Sequence, residues 1–249
     1  MKLLQQLHTL KNKHQWERKD VRLSFLRRCH DEFRSNSTNI EAASRFFLSL
    51  AEQSQSETHW AVEMELLCMQ ECCVLFCLAG FWLSQQESPP LDQLEQVEEK
   101  LWRCQVHRQV LVTDLAKDSL FSTPLARNKD SFEEMMKEFS FSKVPALGDP
   151  KYLSLDGMPS SSTEESSGPQ DVGEQSALSM LVGNLLDDGC IHEASRVCRY
   201  FHYYHRDVWL VLHCRGLASG EHQRGIQDLL STETKKGLQS CEFSSDYCL

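Results

Sequence analysis

Residues 185–220, LLDDGCIHEASRVCRYFHYYHRDVWLVLHCRGLASG, constrain the fold more than any other stretch. Leu178, Leu181, Val182, Leu185 and Leu186 recur every three or four residues, as one helix face requires. Asp187-Asp188-Gly189 then breaks the pattern, and Gly189 suits the left-handed conformation at which helices end. Ile191, Ala194, Val197, Cys198 and Phe201 form the next stripe, which places Ala194 inward and Glu193 outward. Asp207 is the expected N-cap of a third helix, with Val208, Val211, Leu212 and Ala218 inward and Gly220 as its stop. Helix, tight glycine turn, helix and helix describe stacked helical hairpins. A hairpin that cannot cover its own apolar stripe must stack on a neighbour or bind a partner.

The rest of the chain reads the same way. Residues 1–33 are predicted helical with an interruption near Lys13; Leu3, Leu7 and Leu10 make one stripe, and Leu26, Cys29 and Phe33 a second. Thr38-Asn39-Ile40-Glu41 has capping-box spacing ahead of Ile40, Ala43, Phe47 and Leu50. Ser54-Gln55-Ser56-Glu57 has it again, ahead of a helix expected from Thr58 to Leu83. The second half of that helix is apolar on nearly all sides, so neighbours must surround it. Its uninterrupted apolar run, 72–83, is shorter than the ~20 residues that cross a bilayer. Pro89-Pro90 ends it. A helix over 91–115 follows, with Leu94, Val97, Leu101, Cys104 and Leu111 on one side, packed antiparallel to its predecessor. A short helix is expected over 132–139 behind a capping box at Ser131 and Glu134. KVPALGDPKYLSL, residues 143–155, reads as ordered and extended.

Residues 158–173, MPSSSTEESSGPQDVG, hold too little apolar surface to offset the entropy of ordering and read as a disordered linker. The expected fold is therefore all-α, antiparallel helical hairpins of α-solenoid type, interrupted by that Ser-rich linker. It divides into an N-terminal helical region (1–157), the linker (158–173) and a C-terminal hairpin region with a polar tail (174–249). The linker is expected to let the two helical regions move apart.

Charge is uneven along the chain. Residues 1–34 are basic, with Lys11, Lys13, Arg18, Lys19, Arg22, Arg27, Arg28 and Arg34; residues 51–99 contain no Lys or Arg. The two regions are thus able to attract one another or to face different partners. The net charge of −10 and the absence of a nucleic-acid motif give no reason to expect a nucleic-acid partner. The 11 cysteines come without an apolar leader in MKLLQQLHTLKNK, so reduced cytosolic thiols are expected.

Chemistry has few footholds. Cys190, His192, Cys198, His202, His205, His213 and Cys214 crowd one region. Cys198 and His202, four apart, would be neighbours on a helix face able to share Zn²⁺. No CxxC pair accompanies them, and Cys198 already belongs to the core stripe. A zinc-binding helical module is therefore the second reading, with no resident metal or cofactor expected in the first. Cys68, Cys72, Cys73 and Cys77 sit in apolar and acidic surroundings that raise thiol pKa. There is no GxSxG elbow, phosphate loop or GxGxxG turn, so a cysteine-dependent enzyme is the third reading and no catalytic residue is assigned. In the run Tyr200-Phe201-His202-Tyr203-Tyr204, Phe201 belongs to the buried stripe. Tyr200, Tyr203 and Tyr204 cannot all share it, and they are the candidates for contact with a neighbouring repeat or a partner.

EASRVCRYFHYY, followed by DVWLVLHCRGLASGE, closely resembles the C-terminal region of the spatacsin family, and KVPALGDPKYLSL resembles that family too. The resemblance implies an α-solenoid scaffold without catalytic residues, many times longer in full than this chain. It implies spastizin and the fifth adaptor-protein complex as partners, with membrane association only through them. It implies a place at the cytosolic face of late endosomes and lysosomes, in lysosome reformation and in axonal and synaptic vesicle transport.

Overall fold

The computed structural model describes residues 2–35, 39–57, 61–118, 131–159 and 171–219. Nine α-helices and three short 3₁₀ turns, with no strand, make up the regular structure of the described residues. The helices are α1 (Lys2–Asn12), α2 (Lys19–Ser35), α3 (Ile40–Gln55), α4 (Val62–Ser84), α5 (Leu91–Asp118), α6 (Ser131–Glu138), α7 (Val172–Asp187), α8 (Ile191–Tyr200) and α9 (Arg206–Ser219).

Helix α4 is the centre. Its residues from Cys68 to Leu83 are buried on nearly every side, between α3 and α5 and beneath α2 and α6. The α3–α4 pairing is antiparallel. The Ser44 hydroxyl donates to the Ala79 carbonyl at 3.0 Å, the Cys72 thiol to Ala51 at 3.7 Å and the Cys68 thiol to Ser54 at 3.2 Å. With 23 residues, α4 has the length and composition of a membrane span, longer than the run counted in the sequence. Here 72% of its apolar window is buried inside the protein. It also carries Glu71, which accepts a hydrogen bond from Arg22 of α2 with both side chains about 4% exposed. The basic start and the acidic centre of the chain thus attract one another; Lys11 and Glu57 pair at the surface as well. Burial raises the Glu71 pKa to about 7, against the opposing pull of Arg22. At Gly80 a Cβ would stand 2.2 Å from the Phe141 ring, so only glycine admits that ring against the helix.

Helix α5 has two apolar sides. Leu94, Val97, Leu101, Cys104 and Leu111 face the core around α4. Trp102 and Val106 face a second core built from Ala177, Leu178 and Val182 of α7, Ala194, Val197 and Cys198 of α8, and Val208 and Leu212 of α9. The two helical regions therefore share a wall, and the expected freedom to move apart gives way to a buried seam. Arg196 of α8 forms a two-pronged pair with Glu98 of α5, at 2.8 and 2.7 Å, and donates to the Leu147 carbonyl at 2.5 Å. Glu193, expected outward, is buried in this seam and accepts from Trp102 Nε1 at 3.2 Å. The reason is that α8 is covered on two sides, by α7 and by α5, where a lone hairpin would expose one.

Several local expectations need correction. The helix after the first predicted capping box is capped by Asn39, whose side chain accepts from the Ala42 amide; Thr38 lies outside the described residues. Ser54 is no cap. It lies in the last turn of α3, buried against Cys68 and Glu71. Ser131 is the first helical residue of α6. Residues 143–155 are ordered but not extended: Pro145 and Pro150 each open a 3₁₀ turn, and the Asp149 carboxylate accepts from the Lys151 amide. Asp207 falls inside the first turn of α9, and Ala218 is exposed. Of the proposed linker, 160–170 lie outside the described residues, Met158 packs on the second core, and Val172–Gly173 already begin α7. Gly220 and the polar tail also lie outside them.

Candidate interaction surface

The turns around α8 fix the C-terminal geometry. After α7, Gly189 takes φ 72°, its amide donates to Leu186 at 3.0 Å and the Cys190 amide to Leu185 at 2.7 Å. That is a Schellman ending with glycine at the left-handed position. The end of α8 repeats it with a histidine. His202 takes φ 48°, its amide donates to Arg199 at 3.3 Å and the Tyr203 amide to Cys198 at 2.8 Å. The helix stops at Tyr200, so Cys198 and His202 do not share a helix face. Cys198 is fully buried, and burial pushes its thiol up to about 12. His202 is exposed in the turn. Among the described residues no group of three or more His, Cys, Asp or Glu side chains is placed to hold a metal ion.

The three tyrosines separate. Tyr200 lies against α5: its hydroxyl accepts from Arg103 Nε, the guanidinium stands 5.3 Å from its ring centroid, and Trp102 lies 5.9 Å away. Its role is contact between neighbouring helices. Tyr203 is half-buried on the second core, near the His205 ring. Tyr204 points outward.

Helix α9 carries the surface that sequence reasoning missed. Val208 and Leu212 turn inward and are buried. On the opposite side Leu210 is 50% exposed, Leu217 is 49% exposed, and Cys214 lies exposed between them. Positions 210, 214 and 217 form a stripe at helical spacing. Trp209 stacks on His213, with centroids 5.0 Å apart and planes 11° from parallel. The same spacing that signals a buried stripe was legible on this side of the helix. Which of its two sides meets the rest of the protein was not.

No protein-family profile matches the sequence, and no solved structure matches it. Spatacsin of the mouse is similar to this chain, with 43% identity over 221 residues, which is 88% of this chain. The chain spans about 9% of the length of that curated relative.

Proposed function

Given that this chain is a spatacsin-related region, we propose that it works as a non-enzymatic scaffold of α-solenoid type, holding other proteins at endosomal and lysosomal membranes. The observation that carries this reading is α9: one apolar side is seated in the second core, and the opposite one, Leu210 and Leu217, is bare. A helix with apolar residues on two opposite sides still has one side to cover once the other is seated in a core. In a stacked array the enclosing element is the next hairpin or a partner's helix. The resemblance supplies the setting. The partners proposed are spastizin and the fifth adaptor-protein complex, the location the cytosolic face of late endosomes and lysosomes, and the roles lysosome reformation and axonal and synaptic vesicle transport. Attachment to the membrane is through those partners.

A pull-down from neural lysate, with the intact chain as bait, tests the proposal. Spastizin or adaptor subunits are expected on the wild-type bait and at least tenfold reduced on a bait carrying both Leu210→Asp and Leu217→Asp. Equal recovery on both baits removes α9 as the binding face. Recovery of neither partner removes the proposed setting.

A further inference from the structure

His30 of α2 is 7% exposed and lies where α2, α4 and the end of α6 meet. Three rings surround its imidazole: Phe139 with 4.5 Å between centroids, Trp82 with 5.5 Å and Phe81 with 5.7 Å. Its Nδ1 is buried and has no hydrogen-bond partner among the described residues. Trp82 Nε1, buried in the same cluster and equally unpartnered, is a donor and has no lone pair to offer. Phe139 also meets Phe81 edge to face, 5.3 Å away, so the chain leaving α6 is fastened in this cluster. Phe132 and Met135 seat the rest of α6 in the core around α4, and at the surface Arg27 of α2 pairs with Glu138 at 2.9 Å.

We propose that His30 is an acid-sensitive latch: protonating its imidazole loosens α6 from α2 and α4. A neutral imidazole can leave one ring nitrogen as a bare acceptor, but an imidazolium carries an N–H on both. At His30 the second N–H points into a cluster of rings and the Trp82 donor, with nothing to receive it. A buried charge is tolerated only when it is paired and hydrogen-bonded, and the attraction of ring faces for a cation is smaller than the hydration given up. Burial accordingly holds the His30 pKa below the ordinary 6.5. Asp31 of the same helix and Glu138 of α6 favour the imidazolium, while Arg34 and Arg27, one turn away on either side along α2, oppose it. From α4 come the Phe81 and Trp82 rings.

The folded chain binds this proton less tightly than the unfolded chain does. The latch is therefore complete above pH 6.5 and is lost as pH falls below it. Glu71 and Glu98 act in the opposite sense, through Arg22 and Arg196, so a measure of global stability mixes the two, whereas α6 itself reports on His30. The element released is small, eight residues, but Phe132 and Met135 leave the core with it and the side of α4 beneath them is uncovered. Acid thus turns a closed apolar face into an open one.

The test is a nuclear magnetic resonance titration of the intact chain from pH 7.5 to pH 5. The His30 ring signal is identified by its contact with the Phe139 ring. Its midpoint is expected below 6.5, and the backbone amide signals of α6 are expected to shift and broaden with that same midpoint. In His30→Phe, whose ring fills the cluster without titrating, the response of α6 is expected to vanish. In Glu138→Gln, a change at a half-exposed surface position, the His30 midpoint is expected to fall further, and the α6 response with it. A His30 midpoint at or above 6.5, α6 signals that stay still while His30 titrates, or an α6 response that survives in His30→Phe overturns the proposal. If His30→Phe fails to fold, Glu138→Gln decides: an α6 response that does not follow the His30 midpoint overturns it.

Discussion

Helices α4 and α9 both carry apolar residues on opposite sides, but the protein encloses only one of them. Around α4 stand α2, α3, α5 and α6, and most of its side chains from Cys68 to Leu83 are buried. Helix α9 meets the rest of the protein through Val208 and Leu212 and leaves Leu210 and Leu217 outside. The same sequence character thus serves two ends. At the centre it satisfies the fold. At the end it is left unsatisfied, and apolar surface left outside is where recognition begins.

The comparison can be broken most severely at the centre. Phe76 is fully buried in α4, and Phe76→Ala is expected to remove ~3–5 kcal/mol of stability, read as a lowered urea midpoint. A loss below about 1 kcal/mol would mean that α4 is not enclosed as described. The seam between the two regions comes next. Arg196→Met leaves the Glu98 carboxylate buried without its partner, at a cost of ~3 kcal/mol. Hydrogen exchange is expected to rise first in α7 and α8, with α3 and α4 still protected. Uniform loss across all helices would show that the seam is not a separate line of weakness.

Acidity gives a finer test. Burial raises Glu71 and Glu98 from the ordinary 4.5 to about 7, more strongly than their arginines oppose it. The folded chain therefore holds these two protons more tightly than the unfolded chain does. Their contribution is complete below about 4.5 and is lost as pH rises through about 7. The urea midpoint is expected to fall between pH 5 and pH 7.5 by the equivalent of ~5 kcal/mol for the two groups together. Glu98→Gln is expected to flatten that slope, and an equal slope in the variant would assign the effect elsewhere. The smallest change is expected at the far end. Leu210→Asp with Leu217→Asp should alter stability by no more than about 0.5 kcal/mol, because both side chains already meet water. A larger loss would show that the outer side of α9 is covered within the chain itself.

What was legible in the sequence was local. Gly189, Pro89-Pro90 and the break near Lys13 act through their own backbone or through neighbours a few residues away, so their effects could be read in place. The stripe on α5 was also visible, from Leu94 to Leu111. So was its second stripe, Trp102, Val106 and Val110, had both sides been counted. The position of Glu193 was not legible, because its burial depends on Trp102, 91 residues away. His202 misled for a different reason. Four-residue spacing implies a shared face only while the helix continues, and the left-handed turn at His202 ends it. The surroundings of His30 join three helices, and no spacing within α2 announces Phe81, Trp82 and Phe139 as its neighbours.

The two-pronged pair between Arg196 and Glu98, with Leu147 as the third anchor, has a consequence for how this chain can vary through descent. A change at either charged position alone strands the other in a dry interior, whereas a joint change to two well-packed apolar residues need not. The two positions, 98 apart along the chain, should accordingly be inherited as one character, altering together or not at all.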